Sequence, residues 1–305
     1  MSEEIARAAA ILSAGGLVVL PTETVYGLGG DATNPEAVAR IFATKGRPHF
    51  NPLIAHVLGL EEARAEARLH ARAVALAQKF WPGPLTLVAP RLESSSVAEL
   101  ACAGLGTIAL RAPSHPIARA LLEAFGKPIA APSANRSGHV SPTTAAHARD
   151  DLGDAVALVL DGGPSAHGLE STIVAIDDMG TATLLRPGAI ARAEIEAITG
   201  PLAAPSQSIE APGMMASHYA PRAPLRLDAT APLPGEAYLA FGSEAPPGGL
   251  SLSPRGDLIE AAANLYAHLR ALDARAPAGI AVAPIPRDGL GEAIRDRLAR
   301  AAAPR

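Results

Sequence analysis

Short, mostly apolar runs recur along this chain, each stopped by a loop rich in glycine, proline or hydroxyl groups. They cover Leu17 to Leu20, Leu53 to Val57, Leu85 to Ala89, Thr107 to Arg111, Ile129 to Ala131, Val156 to Leu160 and Ser171 to Ile176. Runs this short suit strands packed on both faces better than buried helices. Between them, Glu3 to Ser13 sets Ile5, Ala8, Ala9 and Leu12 on one helical face, and Gly15-Gly16 ends it. Helices are also predicted over 36–45, 61–80 and 116–125, the first with Pro35 at its opening turn. The alternation predicts an α/β fold. Aromatic residues make up only 3% of the chain, so the layers must be packed by Ala, Val, Leu and Ile.

At 305 residues the chain exceeds the usual size of one core, and its pattern changes near residue 200. Pro201, Pro205, Pro212, Pro221 and Pro224 punctuate a stretch with little apolar periodicity, which reads as a linker or a working loop. Beyond it, a strand (237–241), a helix (258–272), a strand (279–283) and a helix (292–302) read as half of a doubly wound sheet. The predicted organisation is a larger domain over 1–200, a linker and lid over 201–224, and a small Rossmann-like domain over 225–305.

Several function classes drop out. The formal charge of −4 argues against wrapping nucleic acid with the whole surface, and leaves room for a local basic site. Cys102 is the sole cysteine, which excludes an internal disulfide and a zinc site of several thiolates; its apolar neighbours make it a core residue. The N-terminus is acidic where a signal peptide would be basic, and no run approaches the roughly 18 apolar residues of a membrane span. A cytoplasmic protein is expected. G-x-x-x-x-G-K-[ST], G-x-G-x-x-G and G-x-S-x-G are all absent, so a bound nucleotide would have to be held by side-chain cations and hydroxyls.

Those groups cluster. Only three of the 26 basic residues are lysines, and one of them, Lys45, opens Lys45-Gly46-Arg47-Pro48-His49-Phe50-Asn51-Pro52. Gly46, Pro48 and Pro52 forbid a regular helix there, so two cations and an amide sit on a stiff loop past a helix end. Capping of the helix dipole by Lys45 is the simpler alternative. Thr22 and Thr24 follow the first strand, Arg111 closes another, and Ser133, Asn135, Ser137 and Ser141 follow a third. Polar groups at strand ends of an α/β sheet mark ligand sites, although Ser and Asn also serve ordinary turns. His56 lies inside an apolar strand, where a lone histidine is usually a hydrogen-bonded core residue.

Together these segments carry a resemblance. Pro21-Thr-Glu-Thr-Val-Tyr-Gly-Leu28, Lys45-Gly-Arg47-Pro48 with Asn51-Pro-Leu53, Trp81-Pro-Gly-Pro-Leu-Thr86, Pro132-Ser-Ala-Asn135-x-Ser-Gly138, Leu169-Glu-Ser-Thr172 and Arg186-Pro-Gly188 resemble the YrdC-like family in order and spacing. Pro212-Gly-Met214 and Ser217-His-Tyr-Ala-Pro221 resemble the linker of its long, two-domain form. The resemblance implies a twisted open sheet with a concave cationic cavity, plus the Rossmann-like tail. It also implies a nucleotidyl transfer: L-threonine, bicarbonate and ATP give threonylcarbamoyl-adenylate and pyrophosphate, with Mg2+ bound mainly through the ATP phosphates. Other proteins would then use the product to modify an adenosine beside the tRNA anticodon; direct tRNA contact would be weak, and no membrane is involved.

By motif, Thr24, His56, Arg111 and Ser171 match positions the family uses around threonine. Lys45, Arg47, Asn51, Thr107, Ser133, Ser141 and Arg186 match positions used around ATP, joined by Asn135 and Tyr219; Lys45 and Arg47 are the catalytic pair. With the family in view, His56 reads as functional. Ala131 stands where some members carry Ser. Three other readings stay in view. An RNA-binding module without adenylation activity would show salt-dependent tRNA binding and no ATP consumption. A carbamoyl-adenylate step in hydrogenase maturation belongs to larger relatives with Cys-rich zinc modules, against one Cys here. A nucleotide-binding regulatory tail would need the missing glycine fingerprint.

Overall fold

The computed structural model describes residues 2–205 and 209–304. Two sheets organise it. The strands of the first are β1 (Val18–Leu20), β2 (Gly27–Asp31), β3 (Ile54–His56), β4 (Leu85–Pro90), β5 (Thr107–Arg111), β6 (Ile129–Ala130), β7 (Leu158–Val159), β8 (Thr172–Ile176) and β9 (Ala182–Arg186). They lie in the order β7-β1-β2-β6-β3-β5-β4-β8-β9. The sheet is mixed: β3 runs parallel to β5 and β4 to β8, whereas β4 and β5, and β8 and β9, are antiparallel. Functional side chains therefore come from strand starts and strand ends alike.

Helices α1 (Ser2–Ser13), α2 (Pro35–Lys45), α3 (Leu60–Glu66), α4 (Ala71–Phe80), α5 (Pro116–Phe125), α6 (Ala145–Leu152) and α7 (Arg192–Thr199) belong to this part. The apolar stripe of α1 is buried as its period predicts, in one cluster with Ile117, Leu121 and Phe125 of α5. Two sequence readings need correction. The helix expected over 61–80 is broken, because the amide of Arg68 donates to the carbonyl of Pro90 and Glu66 accepts from Ser95, Ser96 and Val97. These bonds to the loop after β4 outcompete the helical ladder, and His70 caps the restart. The glycine-rich 27–31 segment, read as a loop, is strand β2. A Cβ on Gly29 would stand 2.8 Å from Leu20, so glycine lets β1 and β2 pair closely.

The second sheet has β10 (Leu225–Arg226), β11 (Glu236–Ala240), β12 (Leu250–Ser251) and β13 (Gly279–Val282), all parallel, in the order β10-β13-β11-β12. Helices α8 (Leu258–Asp273) and α9 (Leu290–Ala302) pack against it. The four predicted elements are present; β10 and β12, at two residues each, were too short to read. Val25, Val140, Leu169 and Tyr219 share this domain's apolar cluster, so the two domains are joined by packing as well as by the linker. Among the described residues no helix is long and apolar enough to cross a membrane.

Candidate active site

One hollow gathers most of the predicted side chains. Thr24, Arg47, His56, Arg111, Ser133, Ser171, Arg186 and Tyr219 line it, together with Glu170, Pro212, Gly213 and His218. Local structure explains the gathering. Asn34 caps α2 by accepting from the amides of Glu36 and Ala37, and Gly46 ends it at φ +59. That left-handed turn brings Lys45 and Arg47 inward together, and both are buried. The loop wraps its own arginine: Arg47 donates to the Asn51 carbonyl (3.1 Å), to Asn51 Oδ1 (2.6 Å) and to the Pro52 carbonyl (2.8 Å). Lys45 Nζ donates at 2.5 Å to the carbonyls of Ser133 and Asn135, tying the end of α2 to the loop after β6.

The parallel register of β3 and β5 sets His56 opposite Arg111 at adjacent strand ends. Arg111 donates to Thr24 Oγ1 (2.8 Å) and to Glu23 Oε1 (2.6 Å), and Glu23 also accepts from the Ser114 amide. At the start of β8, Ser171 Oγ shares a 2.7 Å hydrogen bond with Thr86 Oγ1. Arg186, closing β9, donates to the carbonyl and hydroxyl of Ser171 and to the carbonyl of Pro212.

Five predicted residues stand outside the lining of the hollow. Lys45 lies beneath it, its Nζ spent on the Ser133 and Asn135 carbonyls. Asn51 braces Arg47 and is fully buried behind it. Asn135 turns its amide toward the carbonyls of Arg136 and His139. Ser141 commits its hydroxyl to Glu170 Oε1 at 2.6 Å, away from the hollow. Thr107 lies at the opposite end of β5 from Arg111; four residues at about 3.3 Å each put it roughly 13 Å away. Thr107 is thus not brought to the hollow, because its strand enters there and leaves at Arg111.

Burial governs the charge states. It pushes His56 down to about 3, with the Arg111 charge adding to the effect, so the imidazole is neutral at ordinary pH. His218 falls to about 3, through burial and then Arg47. Burial, then Arg47, drives Lys45 well below its usual value, while burial brings Arg47 to about 10. Burial raises Glu23, but Arg111 outweighs it and the carboxyl titrates below its ordinary value. Three arginines, Arg47, Arg111 and Arg186, face one carboxylate, Glu170, in the lining, so the hollow favours anions. Among the lining side chains, His56 Nδ1, His218 Nδ1 and the Tyr219 hydroxyl are buried without a hydrogen-bond partner. Unsatisfied groups of this kind cost free energy and so mark a place where a polar ligand belongs.

The linker segment covers the hollow as a strap. Pro212, Gly213, His218 and Tyr219 enter it, and about 40 Å³ remains open, room for a few waters. Gly213 is required: its φ is +85, and a Cβ there would stand 2.5 Å from the Tyr219 hydroxyl. Of the predicted 201–224 linker, residues 206–208 lie outside the described residues.

Sequence reasoning missed Glu23, Glu170, Gly213 and His218, and, from the second domain, Tyr266 and Arg297. Each had a signal. Glu23 and Glu170 lie inside otherwise apolar or hydroxyl-rich strand-end motifs. Arg297 shares the buried face of α9 with Ile294, Leu298 and Ala301, where a charge is out of place.

The fold and the hollow define a two-domain α/β protein built to hold small anions in a covered cationic site. Comparison with known proteins narrows this. A family model described as telomere recombination (Sua5, YciO, YrdC) matches residues 10–188, and one described as threonylcarbamoyl-AMP synthase, C-terminal domain, matches residues 190–303. The threonylcarbamoyl-AMP synthase of Bacillus subtilis is 39% identical, over 98% of this chain and 93% of its own. That of Pyrococcus abyssi is 39% identical, over 98% and 94%. The crystal structure of P. abyssi Sua5 complexed with L-threonine superposes with a TM-score of 0.91 at 36% identity, covering 99% of this chain and 95% of that one. The chain belongs to the Sua5–YciO–YrdC family, in its two-domain form.

Proposed function

We propose that this chain is an L-threonylcarbamoyladenylate synthase, a nucleotidyltransferase that makes threonylcarbamoyl-AMP and pyrophosphate from L-threonine, bicarbonate and ATP. The observation that carries the reading is the convergence of Arg47, Arg111 and Arg186 on one hollow, with Lys45 tied to its wall at Ser133, in a chain that matches full-length threonylcarbamoyl-AMP synthases. The amine of threonine condenses with bicarbonate, forming the N–C bond and releasing water, to give a carbamate. A carbamate oxygen then attacks the α-phosphorus of ATP, the bond to the bridging oxygen breaks, and pyrophosphate leaves with its electron pair. Two anions must meet, and at 4 Å a pair of unit charges is worth about 4 kcal/mol at an effective dielectric near 20. Fixed cations offset that repulsion, so catalysis is positioning plus charge stabilisation.

In this reading Arg111, held by Glu23 and Thr24, takes the threonine carboxylate. Neutral His56 and Ser171 face the rest of the amino acid. Lys45, Arg47 and Arg186 take the polyphosphate, with Ser133 and Tyr219 beside them. Asn51, Asn135 and Ser141 act from behind, through Arg47, the Lys45 loop and Glu170. Among the described residues no three His, Cys, Asp or Glu side chains gather as metal ligands, and Glu23 and Glu170 are both committed to arginines. Mg2+ carried by the ATP phosphates would supply neutralisation of charge on the leaving pyrophosphate. The strap shields the carbamate and the mixed anhydride from water. Proteins that modify tRNA consume the product.

Pyrophosphate release tests the function. It is expected to require threonine and bicarbonate together with ATP; release indifferent to either one refutes it.

A further inference from the structure

Glu170 is a liability for a site that binds polyanions. It lines the hollow next to Ser171 and is buried. Its carboxylate accepts from Ser141 Oγ (2.6 Å), from the Tyr266 hydroxyl (2.8 Å to Oε2) and from Arg297 Nε (2.8 Å). Tyr266 lies on α8 and Arg297 on α9, so two of these three partners come from the C-terminal domain. Arg297 is wholly buried. Its guanidinium also donates to the Pro187 carbonyl (2.9 Å), immediately after Arg186, and lies 5.1 Å over the Tyr219 ring of the strap. It also bonds Asp296 at 2.5 Å, a carboxylate it shares with Arg300 at 3.0 Å, and of the cations acting on Glu170 its effect is the largest, ahead of Arg186.

We infer that Arg297 is a positioning residue supplied by the C-terminal domain: it cancels the Glu170 charge beside the polyphosphate site and holds the Ser171–Arg186 corner and Tyr219 in register. The inference rests on the polyphosphate reading of the hollow given above. It assigns the tail domain a task, since the strand-end motifs of the first domain bring a carboxylate into their own anion site and this buried cation neutralises it. A unit charge left unpaired about 10 Å from bound phosphate, at an effective dielectric near 20, changes affinity by roughly tenfold or more.

The test is ATP binding to the full-length protein by calorimetry, alongside the melting temperature, for Arg297→Met, Arg297→Lys and the double variant Arg297→Met with Glu170→Gln. Charge cancellation predicts that Arg297→Met weakens ATP about tenfold, that Arg297→Lys stays close to wild type, and that the double variant recovers most of the loss. A purely architectural role predicts that the double variant binds no better than Arg297→Met, and that result overturns the inference. So does Arg297→Met binding ATP as tightly as wild type. If Arg297→Met does not fold, Glu170→Gln alone decides: tighter ATP binding upholds the inference, and unchanged or weaker binding refutes it. Wild-type protein that fails to bind ATP at all refutes the functional reading instead.

Discussion

Replacing Lys45 by methionine separates the two tasks that the structure gives this side chain. Methionine keeps most of the volume and removes the charge and both 2.5 Å bonds to the Ser133 and Asn135 carbonyls. Bonds to a charged group contribute about 1.5–3 kcal/mol each, and the two share one donor, so we expect about 3 kcal/mol of lost stability. At this chain length that corresponds to a melting temperature roughly 5 °C lower. The second task is electrostatic. A unit charge removed about 4 Å from a phosphate, at an effective dielectric near 20, withdraws about 4 kcal/mol, or roughly a thousandfold in rate. Pyrophosphate release at saturating threonine, bicarbonate and ATP measures the second, and thermal melting measures the first. Turnover within tenfold of wild type would show that Lys45 does not face the reacting phosphates. An unchanged melting temperature would show that its ties to the 133–135 loop are energetically idle.

Other expectations follow from burial and charge. His56 and His218 titrate near 3 when folded, against 6.5 ordinarily, so below 6.5 the unfolded chain binds protons that the native state refuses. Stability is full well above pH 6.5 and falls as pH drops toward 3, by about 4 kcal/mol for the pair between pH 7.5 and 5; urea unfolding at pH 7.5 and 5 reads it, and His56→Gln should remove about half of the difference. Glu23→Gln keeps a hydrogen bond to Arg111 but not the charge; the KM for threonine should rise about tenfold with that for ATP little changed, and an equal rise in both would contradict the assignment. Gly213→Ala meets the Tyr219 hydroxyl at 2.5 Å in a left-handed conformation, so it should dislodge the strap at a cost of about 1–3 kcal/mol, seen as faster proteolytic nicking of the linker. Chelation of Mg2+ should abolish pyrophosphate release, and activity that persists without divalent cations would count against phosphate-borne metal.

Much of the fold could be read because its strands are short, apolar and separated by strong breakers. The Thr107 to Arg111 strand and the α1 stripe emerge as predicted. The failures share a cause: tertiary partners outvoted local preference. Nothing local announces that Glu66 will be captured by Ser95 and Ser96, which breaks the 61–80 helix, or that Gly29 and Gly30 permit a strand where glycine usually signals a turn. The site was legible where one segment holds several functional groups, as in 45–52. Motif order alone could not say that Ser141 turns toward Glu170, that Thr107 stands at the far end of its strand, or that Arg111 comes paired with Glu23. Arg297 is the clearest omission, because its partner lies 127 residues earlier in the sequence.

The strap occupying the hollow has a kinetic consequence. If substrates enter only when residues 212–219 have swung out, binding draws on the fraction of molecules in that open form. Every apparent dissociation constant is then the intrinsic one divided by that fraction, so if about one molecule in a hundred is unlatched, affinity measured from outside is about a hundredfold weaker than the pocket itself provides. An inhibitor need not resemble either substrate. A compound that staples the latch shut would silence the protein by denying admission.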